Sequence, residues 1–141
     1  MFLKQKPFIF YKGGILLKWS RILIVGLGGS IGAVLRYVIS GAAEKHFGNF
    51  PAGTLIVNVL GGFLIGFIMQ ASADTWPVPA NVRIFLTTGI MVGLTTFSTF
   101  SYETVSLLSD GEYLMGGANA GLNLFLALFA CWVGKTAAQM L

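Results

Sequence analysis

The chain has 141 residues, of which 55% are hydrophobic and only 10% are charged, whereas a typical soluble domain has about 25% charged residues. So few polar side chains cannot cover the surface of a water-soluble domain, which argues against a soluble enzyme, a nucleic-acid-binding protein and a disordered chain. The net charge of +4 comes largely from basic residues before the first apolar run, where such clusters commonly meet anionic lipid headgroups.

Residues 1–20 form a basic and aromatic N-terminal segment that includes Lys12 and Trp19. Its apolar stretch, residues 7–11, is too short for a signal peptide. Aromatic and basic side chains together are typical of the membrane–water interface. We therefore predict an interfacial N-terminal segment, followed by a membrane domain over residues 21–141.

Four apolar runs follow, and each is long enough to cross the hydrocarbon core, which takes about 20 residues in a helix. They span residues 22–43, 52–73, 83–108 and 113–139. The connections are short, and one of them is a tight acidic turn at residues 110–112, so consecutive helices should be antiparallel neighbours. The sequence thus predicts an all-α integral membrane protein with four transmembrane helices.

The third run is irregular in its middle. Gly89, Gly93, Thr95 and Thr96 are all poor helix formers. A break there would free backbone carbonyls at membrane depth, which is tolerated only inside the protein or beside a polar cavity, and broken helices of this kind often coordinate ions. The alternative is an intact helix whose hydroxyl groups bond back to their own turns.

Three pairs of glycines four residues apart stand in the first, second and fourth runs. Small residues at this spacing let helix backbones approach closely in lipid, and we favour packing within the chain over a specific dimer seam. The three pairs are Gly28 and Gly32, Gly62 and Gly66, and Gly117 and Gly121.

Four notable polar residues lie inside apolar runs. Arg36 in the first run either lines a cavity that attracts anions or extends its long side chain to the interface. Asn58 in the second run is too short to reach the interface, so it either lines a functional site or forms an interhelical hydrogen bond. Asn119 and Asn123 in the fourth run should face the bundle as interhelical contacts.

Phe97 and Phe100 are three residues apart and therefore share a helix face. An aromatic ring has a positive edge, which an anion can approach, and hydroxyl and amide groups can donate to that anion. Hydroxyl groups flank the pair at Ser98, Thr99, Ser101 and Thr104. These residues, with Arg36 and Asn58, indicate a path for an anion. Glu103 is either an interfacial carboxylate or a group at a pore mouth.

Three motifs, read in this order, resemble those of the Fluc/CrcB fluoride channel family. They are GSIGAVLRY at residues 29–37, GTLIVN at residues 53–58 and GLTTFSTFS at residues 93–101. The resemblance covers about residues 22–138. It implies a passive, fluoride-selective channel in the inner (plasma) membrane that exports cytoplasmic fluoride. It also implies an antiparallel, dual-topology homodimer with two fluoride pores.

The resemblance also assigns roles to residues. It implies that Phe97 and Phe100 are the pore phenylalanines, that Asn58 is the pore amide, and that Arg36 and Glu103 lie at the vestibule. The hydroxyl residues named above become candidate pore groups. A structural sodium ion on the dimer axis would be held by the backbone carbonyls of Val92 and Thr95, although the family usually has glycine where Val92 stands.

The N-terminal segment before about residue 20 has no counterpart in the family pattern. Its basic residues favour a cytoplasmic N-terminus, whereas insertion in both orientations needs little charge bias. Either the segment does not decide the topology, or dual insertion is weaker in this chain.

Two other function classes remain as rivals. A small multidrug exporter is also a four-helix dimer, but it needs a membrane-embedded carboxylate where the first run carries Arg36. The second rival is a non-transporting membrane subunit whose polar residues only join helices. An enzyme is not expected, because His46 and Cys131 stand alone and no nucleophile–base pair is visible.

Overall fold

The computed structural model describes residues 19–74 and 76–141, and their regular structure is helical. Its elements are α1 (Trp19–Phe47), α2 (Ala52–Asp74), α3 (Ala80–Ile84), a π-helical segment (Phe85–Met91), α4 (Val92–Leu94), α5 (Phe97–Ser109) and α6 (Tyr113–Ala138). The stretch from α3 to α5 forms one span, Ala80–Ser109. Within this part of the chain, four stretches are long and apolar enough to cross a membrane, which confirms the four predicted spans.

The first helix is longer than its apolar run, which covers residues 22–43. α1 begins at Trp19 and continues through the polar residues that follow the run. The length of an apolar run indicates how much of a helix lies in the hydrocarbon core, and the helix itself can continue into the membrane–water interface. It ends where Gly48 takes a positive φ of 60°, a conformation suited to glycine. The predicted N-terminal segment lies outside the described residues, apart from Trp19 and Ser20, which belong to α1.

The third span departs from a regular α-helix twice. Residues Phe85–Met91 are π-helical, which the sequence did not predict. Thr95 (φ −80°, ψ 156°) and Thr96 (φ −152°, ψ 118°) are extended, so the helix is interrupted between α4 and α5. The hydroxyl of Thr96 then accepts a hydrogen bond from the amide of Thr99 and caps α5. The interruption agrees with the broken-helix alternative.

Close contacts at glycines show which helices are neighbours and whether they run parallel. A Cβ at Gly28 or Gly32 would meet the backbone of the third span at Gly89 or Leu94, both 2.8 Å away, so these two spans run parallel. Gly62 and Gly66 lie in the same way against Ala127 and Cys131 of α6. These two pairs pack within the chain, as favoured from the sequence. A Cβ at Gly117 or Gly121 would meet nothing within 4 Å, so the third pair makes no close contact inside the chain.

The buried core lies where α1 and α2 meet the third span. Val57 of α2, Met91 and Leu94 form its centre, and Ile39 and Ile90 pack against it. Leu94 is the last residue before the interruption. The core therefore fixes the position of the helix break beside the N-terminal third of α2.

The close approach at Gly32 makes a strong stability prediction. Gly32→Ala would place its Cβ against the carbonyl oxygen of Ile90, and both are held in helix backbone, so the change should destabilise the fold by about 1 to 3 kcal/mol. Gly26→Ala on the same helix is the matched control, because no atom lies within 4 Å of its Cβ. The midpoint of thermal unfolding in detergent should fall for Gly32→Ala alone. Equal midpoints for the two variants would contradict this packing.

Candidate functional site

An open groove of about 620 Å³ lies beside the helix break, between α2, the third span and α6. Apolar side chains form most of its lining. Of the residues predicted to carry function, five line it. They are Asn58, Val92, Thr95, Phe97 and Phe100. The tertiary structure thus brings the helix break, the amide and the two rings to one surface.

The two phenylalanines stand in the first turn of α5 and are in contact. Their ring centroids are 5.4 Å apart and their planes are tilted by 58°. This confirms that residues 97 and 100 share a face. Phe97 is 79% exposed in the single chain. A large apolar ring left so open must face lipid or another protein surface.

Asn58 bonds both backbone groups of Thr96 at the helix break. Its Oδ1 accepts a hydrogen bond from the amide of Thr96 at 2.8 Å, and its Nδ2 donates to the carbonyl of Thr96 at 3.2 Å. Its Nδ2 also donates to Oδ1 of Asn123 at 2.9 Å. These bonds satisfy backbone groups that the interruption would leave unpaired in the membrane. They occupy both amide hydrogens, so donation to an ion in the groove requires one of these bonds to open.

The predicted hydroxyl residues are arranged differently from the phenylalanines. The described residues that line the groove do not include Ser98, Thr99, Ser101 or Thr104. The hydroxyls of Ser98 and Thr99 contact the Thr96 hydroxyl at the start of α5, at 3.2 and 3.0 Å. The hydroxyls of Ser101 and Thr104 donate to carbonyls one turn earlier in the same helix. Their predicted pore role stays a prediction, and it is not supported by the shape of this groove.

Glu103 is not a free interfacial carboxylate. Its Oε1 accepts a hydrogen bond of 2.7 Å from the hydroxyl of Thr54, four residues before Asn58 on α2. Its Oε2 is buried without a hydrogen-bond partner among the described residues. Glu103 lies outside the groove lining, so its assignment to a pore mouth is not tested by the geometry.

Arg36 lies in the interior of α1 and is half-buried. It stands between Gly32, which packs against the third span, and Ser40, which contacts Gly53 of α2. It does not line the groove. Its placement at a vestibule therefore stays a prediction.

The carbonyls of Val92 and Thr95 lose their usual helical partners at the break. In a continuous helix they would accept from the amides of Thr96 and Thr99. Those amides donate instead to Asn58 Oδ1 and to the Thr96 hydroxyl. Oxygen donors of this kind suit a hard cation. The side chain does not take part, so valine at position 92 is compatible with such a role.

One further residue belongs to the candidate site, although the sequence pattern does not assign it there. Asn119 and Asn123 were expected to face the bundle, and both are buried. Asn123 also lines the groove and bonds Asn58, which makes it part of the candidate site. The available signal was the pair of amides four residues apart in an otherwise apolar run, on one helix face.

Comparisons with known proteins match most of the chain. Residues 23–135 match the family described as "CrcB-like protein, Camphor Resistance (CrcB)". A protein of Clostridium perfringens is 57% identical over 120 residues, which cover 84% of this chain and 94% of the relative. A protein of Clostridium novyi is 56% identical over 114 residues, covering 80% and 89%. One of Campylobacter fetus is 44% identical over 120 residues, covering 84% and 93%.

Each of these three relatives is named "Fluoride-specific ion channel FluC". These names describe channels, in agreement with the prediction that the chain is not an enzyme. Together with the four spans, they make this a multi-pass membrane protein. The matched family pattern and the relatives extend over most of the chain, and the protein belongs to the CrcB family.

Proposed function

We propose that the protein is a passive, fluoride-selective channel that lets cytoplasmic fluoride leave the cell down its electrochemical gradient and so protects against fluoride toxicity. The observation that carries the proposal is the broken third span, where Asn58 bonds the backbone of Thr96 beside Phe97 and Phe100 in one groove. The names of the relatives support the choice of ion.

Fluoride is small and strongly hydrated, so it crosses a membrane only where protein groups replace its water. The positive edges of the two tilted rings can face the anion. The amide of Asn58 can exchange its bond to the Thr96 carbonyl, the longer of its two donated bonds, for a bond to fluoride. A narrow path of this kind would exclude larger halides.

The proposed channel is an antiparallel homodimer with two fluoride pores. Phe97 and Val92 are 79% and 65% exposed, so the groove and the break both open onto the surface of the single chain. A second copy would cover these apolar side chains and close the groove into a path. An antiparallel arrangement would give two equivalent pores related by a two-fold axis.

We further propose that the Val92 and Thr95 carbonyls hold a structural sodium ion. One chain supplies only two such oxygens, fewer than a hard cation usually takes. Two copies related by a two-fold axis would bring together twice as many. Bound there, the ion would supply positive charge that balances the carbonyl dipoles at the centre of the dimer.

A vesicle assay tests the proposed function. Purified protein reconstituted into lipid vesicles loaded with potassium fluoride should release fluoride to an ion-selective electrode when valinomycin balances the charge, without a proton gradient. Vesicles loaded with potassium chloride should retain chloride. Release that requires a proton gradient would favour an exporter, and intact folded protein that releases neither ion would favour a non-transporting subunit.

A further inference from the structure

We propose that Asn119 and Asn123 are positioning residues, which with Asn58 form a continuous series of hydrogen bonds that fixes the first turn of α5. This inference rests on the proposed function, because that turn carries Phe97 and Phe100. We call these bonds the asparagine circuit; it runs from Thr96 through the three asparagines and Thr104 to the carbonyl of Phe100.

The circuit begins at the helix break. The amide of Thr96 donates to Asn58 Oδ1 at 2.8 Å, and Asn58 Nδ2 donates to Asn123 Oδ1 at 2.9 Å. This step connects α2 with α6. Both hydrogens of Asn58 Nδ2 are engaged, because the other bonds the carbonyl of Thr96.

The circuit returns to α5 along α6. Asn123 Nδ2 donates to Asn119 Oδ1 at 2.9 Å and to the Asn119 carbonyl at 3.1 Å. Asn119 Nδ2 donates to Thr104 Oγ1 at 2.9 Å, and Thr104 Oγ1 donates to the carbonyl of Phe100 at 2.8 Å. Donors and acceptors follow one direction throughout. Rotating the Asn123 carboxamide by half a turn would set its oxygen against the oxygens of Asn119, and rotating that of Asn119 would set its nitrogen against the Asn123 nitrogen, so the two orientations are locked.

The two ends of the circuit lie one helical turn apart, at Thr96 and Phe100. In the single chain no residue of α5 is buried, and the helix begins after two extended residues, so little apolar packing within the chain holds its first turn. The asparagine circuit connects that turn through hydrogen bonds to α2 and α6. It therefore sets where the rings of Phe97 and Phe100 stand in the groove.

The burial of Asn119 and Asn123 distinguishes a positioning role from direct contact with an ion. Asn119 is fully buried and does not line the groove, so it can act on the groove only through its hydrogen-bond partners. Asn123 is 5% exposed and has both hydrogens engaged with Asn119. Its role in the groove is to hold the amide of Asn58 in place.

Matched variants test the circuit. Thr104→Val removes the hydroxyl that accepts from Asn119, whereas Thr104→Ser keeps a hydroxyl. Thr136→Val is the matched control, because the Thr136 hydroxyl also donates to a carbonyl four residues earlier, at Trp132, but takes no part in the circuit. Asn119→Leu removes the buried amide, and Asn119→Leu combined with Thr104→Val completes a double-mutant cycle.

Fluoride release from vesicles is the first measurement. Thr104→Val and Asn119→Leu should each lower the rate by about tenfold, and the double variant should lose no more than either single one, because groups in one network are not additive. Thr104→Ser and Thr136→Val should release fluoride at the wild-type rate. If Asn119→Leu does not fold, the contrast between Thr104→Val and Thr104→Ser decides.

Two results would overturn the circuit as a positioning device. One is full flux in Thr104→Val. The other is a flux in the double variant that falls by the product of the two single reductions. That result would mean that the two residues act separately, as groups that each meet the ion. If the wild-type protein itself releases no fluoride, the proposed function fails. The circuit is then judged by thermal unfolding of the same proteins in detergent, where additive shifts would refute it.

Discussion

Fluoride release should fall below detection when either Phe97 or Phe100 is replaced by isoleucine. Isoleucine keeps the apolar character of the position and about the same helix propensity, but it has no ring and therefore no positive edge for an anion to approach. The two rings are in contact at 5.4 Å in the groove, so removing one also removes the support of the other. The measurement is fluoride-electrode recording of release from reconstituted vesicles.

Phe129→Ile is the matched control for these two variants. Phe129 lies on α6 and lines a separate, apolar groove with α2 residues such as Leu60 and Phe63, outside the candidate site. This variant should conduct like the wild-type protein. All three proteins should elute from a size-exclusion column as the wild-type protein does. Undiminished flux in both Phe97→Ile and Phe100→Ile would mean that the path lies elsewhere.

Asn58→Asp should also abolish fluoride release. The carboxylate keeps an acceptor for the amide of Thr96 but loses both donated bonds, and it turns an oxygen toward the Thr96 carbonyl and toward Asn123 Oδ1. A negative charge next to the two rings would also repel an anion. Asn49→Asp is the matched control, because Asn49 is exposed in the loop between α1 and α2.

The Asn58→Asp variant is measured in the same vesicle assay, beside its control. Flux at the wild-type rate would show that this amide neither holds the break nor meets the ion. Loss of flux in Asn49→Asp as well would show a general effect of added negative charge, and it would remove the support that this variant gives to the site.

Local patterns explain what was predicted correctly. The four spans follow from apolar length, which depends only on the run itself. The contact between Phe97 and Phe100 follows from helix periodicity over three residues. The interruption at Thr95 and Thr96 was one of two alternatives, because adjacent threonines weaken a helix without by themselves breaking it.

Features that depend on residues far apart in the chain could not be predicted from local sequence patterns. The hydroxyls of Ser101 and Thr104 donate to carbonyls of their own helix, an option that composition does not distinguish, and their predicted pore role stays a prediction. Asn123 was expected only to join helices, and its place in the groove depends on α2 and α6 running side by side. The π-helical segment is not predicted by the sequence pattern.

The amino-acid sequence alone determined that this chain crosses the membrane four times, and it singled out an arginine, an amide and two phenylalanines within those spans. Only the tertiary structure decided that the Asn58 side chain hydrogen-bonds the backbone of Thr96 at the helix break, 38 residues further along the chain. It also decided which glycines meet another helix. The physical reason is that helix length and face follow from neighbouring residues, whereas a hydrogen bond between spans exists only after packing has brought its two ends together.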